Sequence, residues 1–338
     1  MKTKRCPAKH ILTTVLLGCT LTASQAQFTF TTNSDAITIT GYTGPGGDVV
    51  IPAETNGLPV TMIGLSAFAH EATVSSVTVP DTVTNVSNYA FGYCSGMGSF
   101  SMAASSATLG RGILEYCSGL TNVTLAGGTP SIPDFTFARC SNLTSVALPE
   151  GAGSIGNLAF QFCIHLSSVS IPDNVTNIGA DAFYGCWDLT NVLFGTGVTN
   201  IGSGAFFACS NLTGAWFTGN APAPGPVVFS GNTNTTVYYL PGMRGWWGTN
   251  FGGCPIAPWP LPYPVILGGT VGLGRQTNGF GFTIAWNTNV PAVVEACANP
   301  LSQSWSAVGT NTFTNGLSWF GDPQWTNNTA GFYRVRSQ

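Results

Sequence analysis

The chain has 338 residues, 44% of them hydrophobic and 7% charged, with ten Lys and Arg against thirteen Asp and Glu and a formal net charge of −3. So sparse and slightly acidic a charge excludes the basic surface that nucleic acid or an anionic membrane requires of a partner. Solubility must rest on Ser, Thr, Asn and Gly instead.

Residues 1–26 read as an export signal: basic Lys2, Lys4, Arg5 and Lys9, an apolar run from Ile11 to about Leu21, and small residues ending at Ala26. The run is shorter than the roughly 20 residues that an anchor across a bilayer needs, and no later segment qualifies as transmembrane. Residues 27–338 are therefore expected to be secreted or held at the cell surface. A competing reading takes LLGC as a lipobox, with cleavage before Cys19 and a lipid anchor on it, whereas the SQA before Gln27 suits ordinary cleavage. Loss of the signal removes every lysine and leaves six arginines against thirteen acids, a formal charge of −7.

Residues 27–62 alternate apolar and polar side chains in AITIT and DVVIP around Gly and Pro turns, which predicts strands of an N-terminal β cap. From residue 63 to 217 the chain is periodic. Units begin at Ile63, Val86, Leu109, Ile132, Ile155, Ile178 and Ile201, the first interval repeating unchanged to the last, and apolar side chains recur at unit positions 1, 5 or 6, 9, 12, 15 and 17. In LSSVSIP, Val169 and Ile171 alternate with Ser168 and Ser170, the period of a half-buried strand. A fixed period of this length predicts a solenoid of about seven coils, each burying its apolar face only by stacking on its neighbours.

The period places Cys94, Cys117, Cys140, Cys163, Cys186 and Cys209 at one unit position, so stacking sets them in a single inward column. Equivalent residues of adjacent coils lie about 4.8 Å apart and point the same way, whereas a disulfide wants its Cβ atoms about 3.8 Å apart with converging bonds. The favoured reading is buried free thiols acting as small apolar side chains; export keeps a disulfide open as the alternative. No CxxC or Cys/His cluster suits a metal. On this reading Cys163→Ser costs about 1–3 kcal/mol, from a buried hydroxyl without a partner.

The unit IGxxAFxxCSxLTxVxIPDxVTN, seen nearly whole in IGADAFYGCWDLTNVLF and CIHLSSVSIPDNVTNIG, resembles the BspA-type leucine-rich repeat of bacterial surface proteins. The resemblance implies a right-handed leucine-rich-repeat solenoid, mainly β, with two strands and a turn or helical corner in each coil. Some members of that family are adhesins for host or matrix proteins, and the repeat itself fixes no ligand. SMAASSAT and LAGGTPS replace the IPDxVTN segment in the second and third copies, which predicts bulges or less order there.

Along the repeats, Thr121, Thr144, Ser167, Thr190 and Thr213 form a polar column, the candidate binding face; the competing account is that hydroxyl and β-branched residues simply suit exposed strands. A second outward column reads Thr78, Ser101, Thr124, Ala147, Ser170, Leu193 and Trp216. Its polarity fails only at the C-terminal end. Leu193 and Trp216 lie either beneath a cap or in an exposed apolar docking patch. Residues 218–261, rich in turns but for TTVYYLP, are expected to form a C-terminal cap and linker. Residues 262–338 carry FGFTIAW, AVVEAC, WSAVG, GLSWF and GFYRVR, the strands of a small β-sandwich. VVEA, DPQWTN and FYRVRS resemble a terminal β-module of secreted repeat proteins. Cys254 and Cys297 flank the linker and are candidates for a bond.

The chemical inventory is thin. Beyond residue 26 the histidines are His70 and His165, and no nucleophile, metal or phosphate motif is present. Asp81 and Asp173 share a unit position but sit four coils apart, about 19 Å, too far for a glycosidase pair. Pro-Asp turns account for them better. The chain reads as a non-catalytic protein without cofactor, binding a protein or polymer through its solenoid surface. The alternative is a carbohydrate-binding protein that uses the nine tryptophans, all at or beyond Trp187.

Overall fold

The computed structural model describes residues 27–33, 35–104, 106–260, 265–266, 273–276, 279–286, 290–297, 305–313, 317–322 and 332–337, and every regular element among them is a β-strand. Residues 1–26 with Cys19, residues 261–264 and Trp325 lie outside the described residues.

The alternating segments of the repeat form two parallel ladders, one after the other along the stack. Gly47–Val50, Val74–Val79, Ser99–Met102 and Asn122–Leu125 pair in sequence, as do Ser168–Ile171, Asn191–Phe194, Gly214–Phe217, Thr236–Tyr239 and Cys254–Pro258. With the rung between the two sets, residues 144–148, these nine strands make a β-solenoid of about ten turns. The stack is longer than the seven coils marked by strict spacing, for a simple reason. Val77 opposes Phe100 and Val169 opposes Val192 at the strict interval, but Ala215 meets Val237 one position early and Val237 meets Ile256 four positions early. Coils persist after the period has changed. A further ladder of two-residue strands, such as Asn177–Ile178 beside Asn200–Ile201, runs along another side of each coil. The second copy keeps both its strands despite SMAASSAT, so no loss of pairing occurs there. After LAGGTPS the short ladder shrinks to one bridge, Ile132 to Ile155, and the long strand of the following coil does not form.

The third side of the coil is a corner of turns rather than a helix. Two positions per coil adopt left-handed backbone: Ser66, Tyr89, Gly112, Phe135, Leu158, Asp181, Gly204 and Val227, and then His70, Tyr93, Tyr116, Arg139, Phe162, Gly185, Ala208 and Gly231. This conformation turns alternate N–H groups outward along the stack. Tyr89, Phe91 and Tyr93 donate to the carbonyls of Arg111, Ile113 and Glu115 one coil on, while Ala90 and Gly92 donate back within their own coil. Every coil corner therefore satisfies its backbone without forming a strand.

Inside, Phe68, Phe91, Phe137, Phe160, Phe183, Phe206 and Phe229 occupy one column, joined by Leu114, all buried. Phe160 and Phe183 stack at 4.9 Å and 1°, Phe183 and Phe206 at 4.9 Å and 4°. Offset stacking of this kind adds about 0.5–1.5 kcal/mol per pair to the burial itself. One continuous apolar core runs from Phe28 to Cys254.

Beyond the solenoid, Gly279–Ala285 pairs antiparallel with Val265–Ile266, Leu273–Gln276 and Leu317–Asp322, while Ala292–Cys297 pairs with Ser306–Asn311 and Phe332–Ser337. Phe282, Ile284 and Phe320 of the first sheet share a cluster with Ala292, Val294 and Val335 of the second. Leu240, Met243 and Trp259 of the last coils enter the same cluster. Within this module Glu295 is buried, and its two carboxylate oxygens each accept a 2.7 Å bond, from Arg334 and from Arg336. Those guanidiniums hold its carboxyl below the usual range, Arg336 most strongly.

Candidate functional site

The six repeat cysteines are buried and free, and each has a partner that the sequence does not reveal. Cys163 Sγ donates to the Phe137 carbonyl at 3.1 Å, 26 residues back, and Cys94, Cys117, Cys140, Cys186 and Cys209 repeat the bond at 3.0–3.2 Å. A hydroxyl at Cys163 meets that same acceptor, so the assumption of a partnerless serine is corrected. Burial pushes Cys140, Cys163 and Cys186 far up and Cys209 up to about 12. Thiols this hard to ionise are poor nucleophiles and poor metal ligands. Cys254 is also buried and free, and the side chain of Cys297, its candidate partner, lies outside the described residues.

The polar column is exposed at Thr121, Thr144, Ser167, Thr190 and Thr213. Its hydroxyls, however, largely bond within the stack. Thr121 donates to the Gly98 carbonyl, Ser167 to Thr144, Thr190 to Ser167 and Thr213 to Thr190, each at 3.1 Å. The same carbonyls accept the backbone N–H of the same residues. These four side chains thus offer a partner lone pairs and no hydrogen.

At the C-terminal end, Leu193 is 39% exposed and Trp216 half-buried. Trp216 stacks on Tyr238 at 4.0 Å and meets Trp259 at 5.0 Å, while its indole N–H donates to Asn191. The outward column therefore ends as an aromatic cluster of Trp216, Tyr238 and Trp259. Trp246 and Trp286 are core residues, and Trp187, Trp247 and Trp319 are exposed at separate places.

The corner holds residues that sequence reasoning missed. At the second left-handed position, His70 stacks on Tyr93 at 4.7 Å and Tyr93 on Tyr116 at 4.9 Å. Arg139 then lies over Tyr116 at 5.1 Å and over Phe162 at 4.8 Å. Beside this row Arg111 sits between Tyr89, at 5.7 Å, and Phe135, at 4.7 Å. Glu115 lies among them, its carboxyl raised by burial against the pull of Arg111 and Arg139. The available signal was the glycine that alternates with aromatics at these unit positions, Gly112 and Gly204 in one column and Gly185 and Gly231 in the other.

His165 and Asp188 form an exposed 2.8 Å pair between adjacent coils. Asp173 accepts the Thr196 backbone N–H at 2.7 Å, which gives that carboxylate the role of tying its coil to the next. Among the described residues no group of three His, Cys, Asp or Glu is placed to hold a metal, and no helix is long and apolar enough to cross a membrane.

No curated protein matches the chain. Among solved structures, a leucine rich repeat protein of T. pallidum is 29% identical over 61% of this chain and 86% of its own, with a TM-score of 0.46. A leucine rich cell surface protein of Faecalibacterium prausnitzii is 23% identical over 62% and 74%, with a TM-score of 0.43. The pneumococcal vaccine antigen PcpA is 14% identical over 64% and 80%, with a TM-score of 0.33. The profile of the BspA type leucine rich repeat region matches in six copies over residues 61–171 and 130–254, which is more than half of the chain. With its coils, its inward Phe and Cys columns and this match in agreement, the chain belongs to the BspA-type leucine-rich repeat family.

Proposed function

We propose that this is an exported, non-catalytic binding protein that attaches a bacterial surface or its surroundings to a protein or polymer through the lateral surface of the solenoid. One observation carries the reading: the stack sets the same side-chain positions side by side over about ten turns, a continuous surface of the kind that repeat proteins use for extended contacts. Family membership supports a binding role and a place at the cell surface. The sparse charge supports many weak neutral contacts over electrostatic capture.

The test is direct. Residues 27–338, immobilised and probed with an array of matrix proteins and glycans, should retain at least one of them saturably. Retention of none on either half of the array, by a correctly folded chain, defeats the proposal. The tryptophan-based alternative has less support, because Trp246 and Trp286 are core and Trp216 packs against its neighbours.

A further inference from the structure

We propose that the corner column of His70, Tyr93, Tyr116, Arg139 and Phe162, with Arg111 and Glu115 beside it, binds a linear uncharged polysaccharide lying along the stack axis. The proposal rests on the binding role above and assigns it a face and a ligand class.

Strain is the first argument. Side chains other than glycine are disfavoured in left-handed backbone, and non-glycine residues held there gather at functional sites. Here His70, Tyr93, Tyr116, Arg139 and Phe162 all have φ between 56° and 68°. Gly185, Ala208 and Gly231 occupy the same column further along, so the coil itself accepts glycine or alanine at this position. The fold does not demand aromatic residues there. In addition, Arg111 and Arg139 are the only lysines or arginines between residues 27 and 243, and both are stacked into this one corner.

Chemistry selects the ligand. Ring faces in the row cover one another, so what faces outward is edges: two phenol hydroxyls, guanidinium N–H groups and an imidazole. His70 and Arg139 are exposed, and Tyr93 and Tyr116 are 36% and 38% exposed. With the Glu115 carboxylate, the row offers donors and acceptors together. Among the described residues neither Arg111 nor Arg139 forms an ion pair, yet Glu115 in the coil of Arg111, and Asp134 and Glu150 in the coil of Arg139, balance their charge. A polyanion meets no net positive field here, and the chain's surplus of acids repels it. Sugar hydroxyls, each donor and acceptor and uncharged, match such a surface. Spacing points the same way: the rings of His70, Tyr93 and Tyr116 follow one another every 4.7–4.9 Å, and an extended polymer along the axis meets a donor or acceptor edge at each of these coils. An irregular protein surface does not.

The experiment sediments residues 27–338 with insoluble cellulose, xylan, chitin and mannan, and with collagen-coated beads as the protein comparison. Three chains are compared: unmodified, Tyr93→Gly/Tyr116→Gly/Arg139→Gly, and Tyr93→Phe/Tyr116→Phe, which keeps the stack and removes its hydroxyls. The unmodified chain should be retained by at least one polysaccharide, equally at low and high salt. The glycine variant should lose at least tenfold in apparent affinity and the phenylalanine variant severalfold, both with native far-UV spectra. Equal retention of unmodified and phenylalanine chains, or retention by none of the four polysaccharides, overturns the inference. Capture by collagen alone leaves the binding role standing and removes the polysaccharide; capture by nothing, on beads or on the wider array, removes both.

Discussion

A single thiol shows how much a buried side chain does in this stack. Cys163 fills space in the core and also donates to the Phe137 carbonyl. Cys163→Ala removes both roles and is expected to cost about 1–3 kcal/mol, whereas Cys163→Ser keeps a donor and should cost less; urea titration of the two variants checks the order. The raised thiol values carry a sign as well. The unfolded chain ionises these cysteines near their ordinary value of 9.0, while folded Cys209 resists until about 12. The contribution of these buried thiols to stability is therefore fully present below pH 9 and is lost as pH rises through that window, by about 1.4 kcal/mol per pH unit for each such thiol. Cys140, Cys163 and Cys186 shift in the same direction. Thermal midpoints measured from pH 8 to 11 should drop steeply, and a quadruple Cys→Ala chain should flatten the decline. At the corner the balance differs: Tyr116→Gly loses about 0.5–1.5 kcal/mol of stacking and relieves about 1–3 kcal/mol of left-handed strain. Its midpoint should lie within a few degrees of the unmodified chain.

At the scale of the coil, side chains as well as backbone tie each turn to the next. Asn88 accepts the N–H of Arg111 at 2.9 Å, Asp134 that of Asn157 at 2.6 Å, and Asn157 that of Ala180 at 2.8 Å, each one coil on. Asn157→Ala breaks one link of this ladder and should cost about 1 kcal/mol, read as a shift of the denaturant midpoint without a change in slope. The inward elements were legible in the sequence because apolar spacing reports burial directly, as Val169 and Ile171 did. The corner was not, since its signal is backbone conformation rather than hydropathy. Tyr93 and Tyr116 read as ordinary surface residues until φ is known, and Thr190 reads as a free hydroxyl until the Ser167 carbonyl is placed 3.1 Å away. The last coils escaped for another reason: the shortened turns that set Ala215 beside Val237 and Val237 beside Ile256 no longer align with the strict repeat.

On the scale of the whole molecule, the solenoid and the C-terminal module are joined by Leu240, Met243 and Trp259. Removing the chain from residue 261 onward uncovers that contact. The truncated solenoid should keep its far-UV spectrum, because the core from Phe28 to Cys254 is continuous without the module. Its midpoint should fall, and Trp259 emission should shift to the red; a truncated chain with unchanged midpoint and emission shows the contact to be without effect. The two ends of the ladders have a further consequence. Parallel strands in register are a template for adding more of the same, and an open end invites another molecule to continue it. Here the short-strand sheet ends on Phe28–Asn33, which runs antiparallel to Ala36–Tyr42, and the long ladder ends on Asn250–Phe251, antiparallel to Cys254–Pro258. Each reversal presents an incoming coil with the wrong strand direction. A chain lacking residues 27–33 would lose one of these stops, and slow growth of end-to-end filaments, visible by electron microscopy and by dye binding, is the outcome to expect of it.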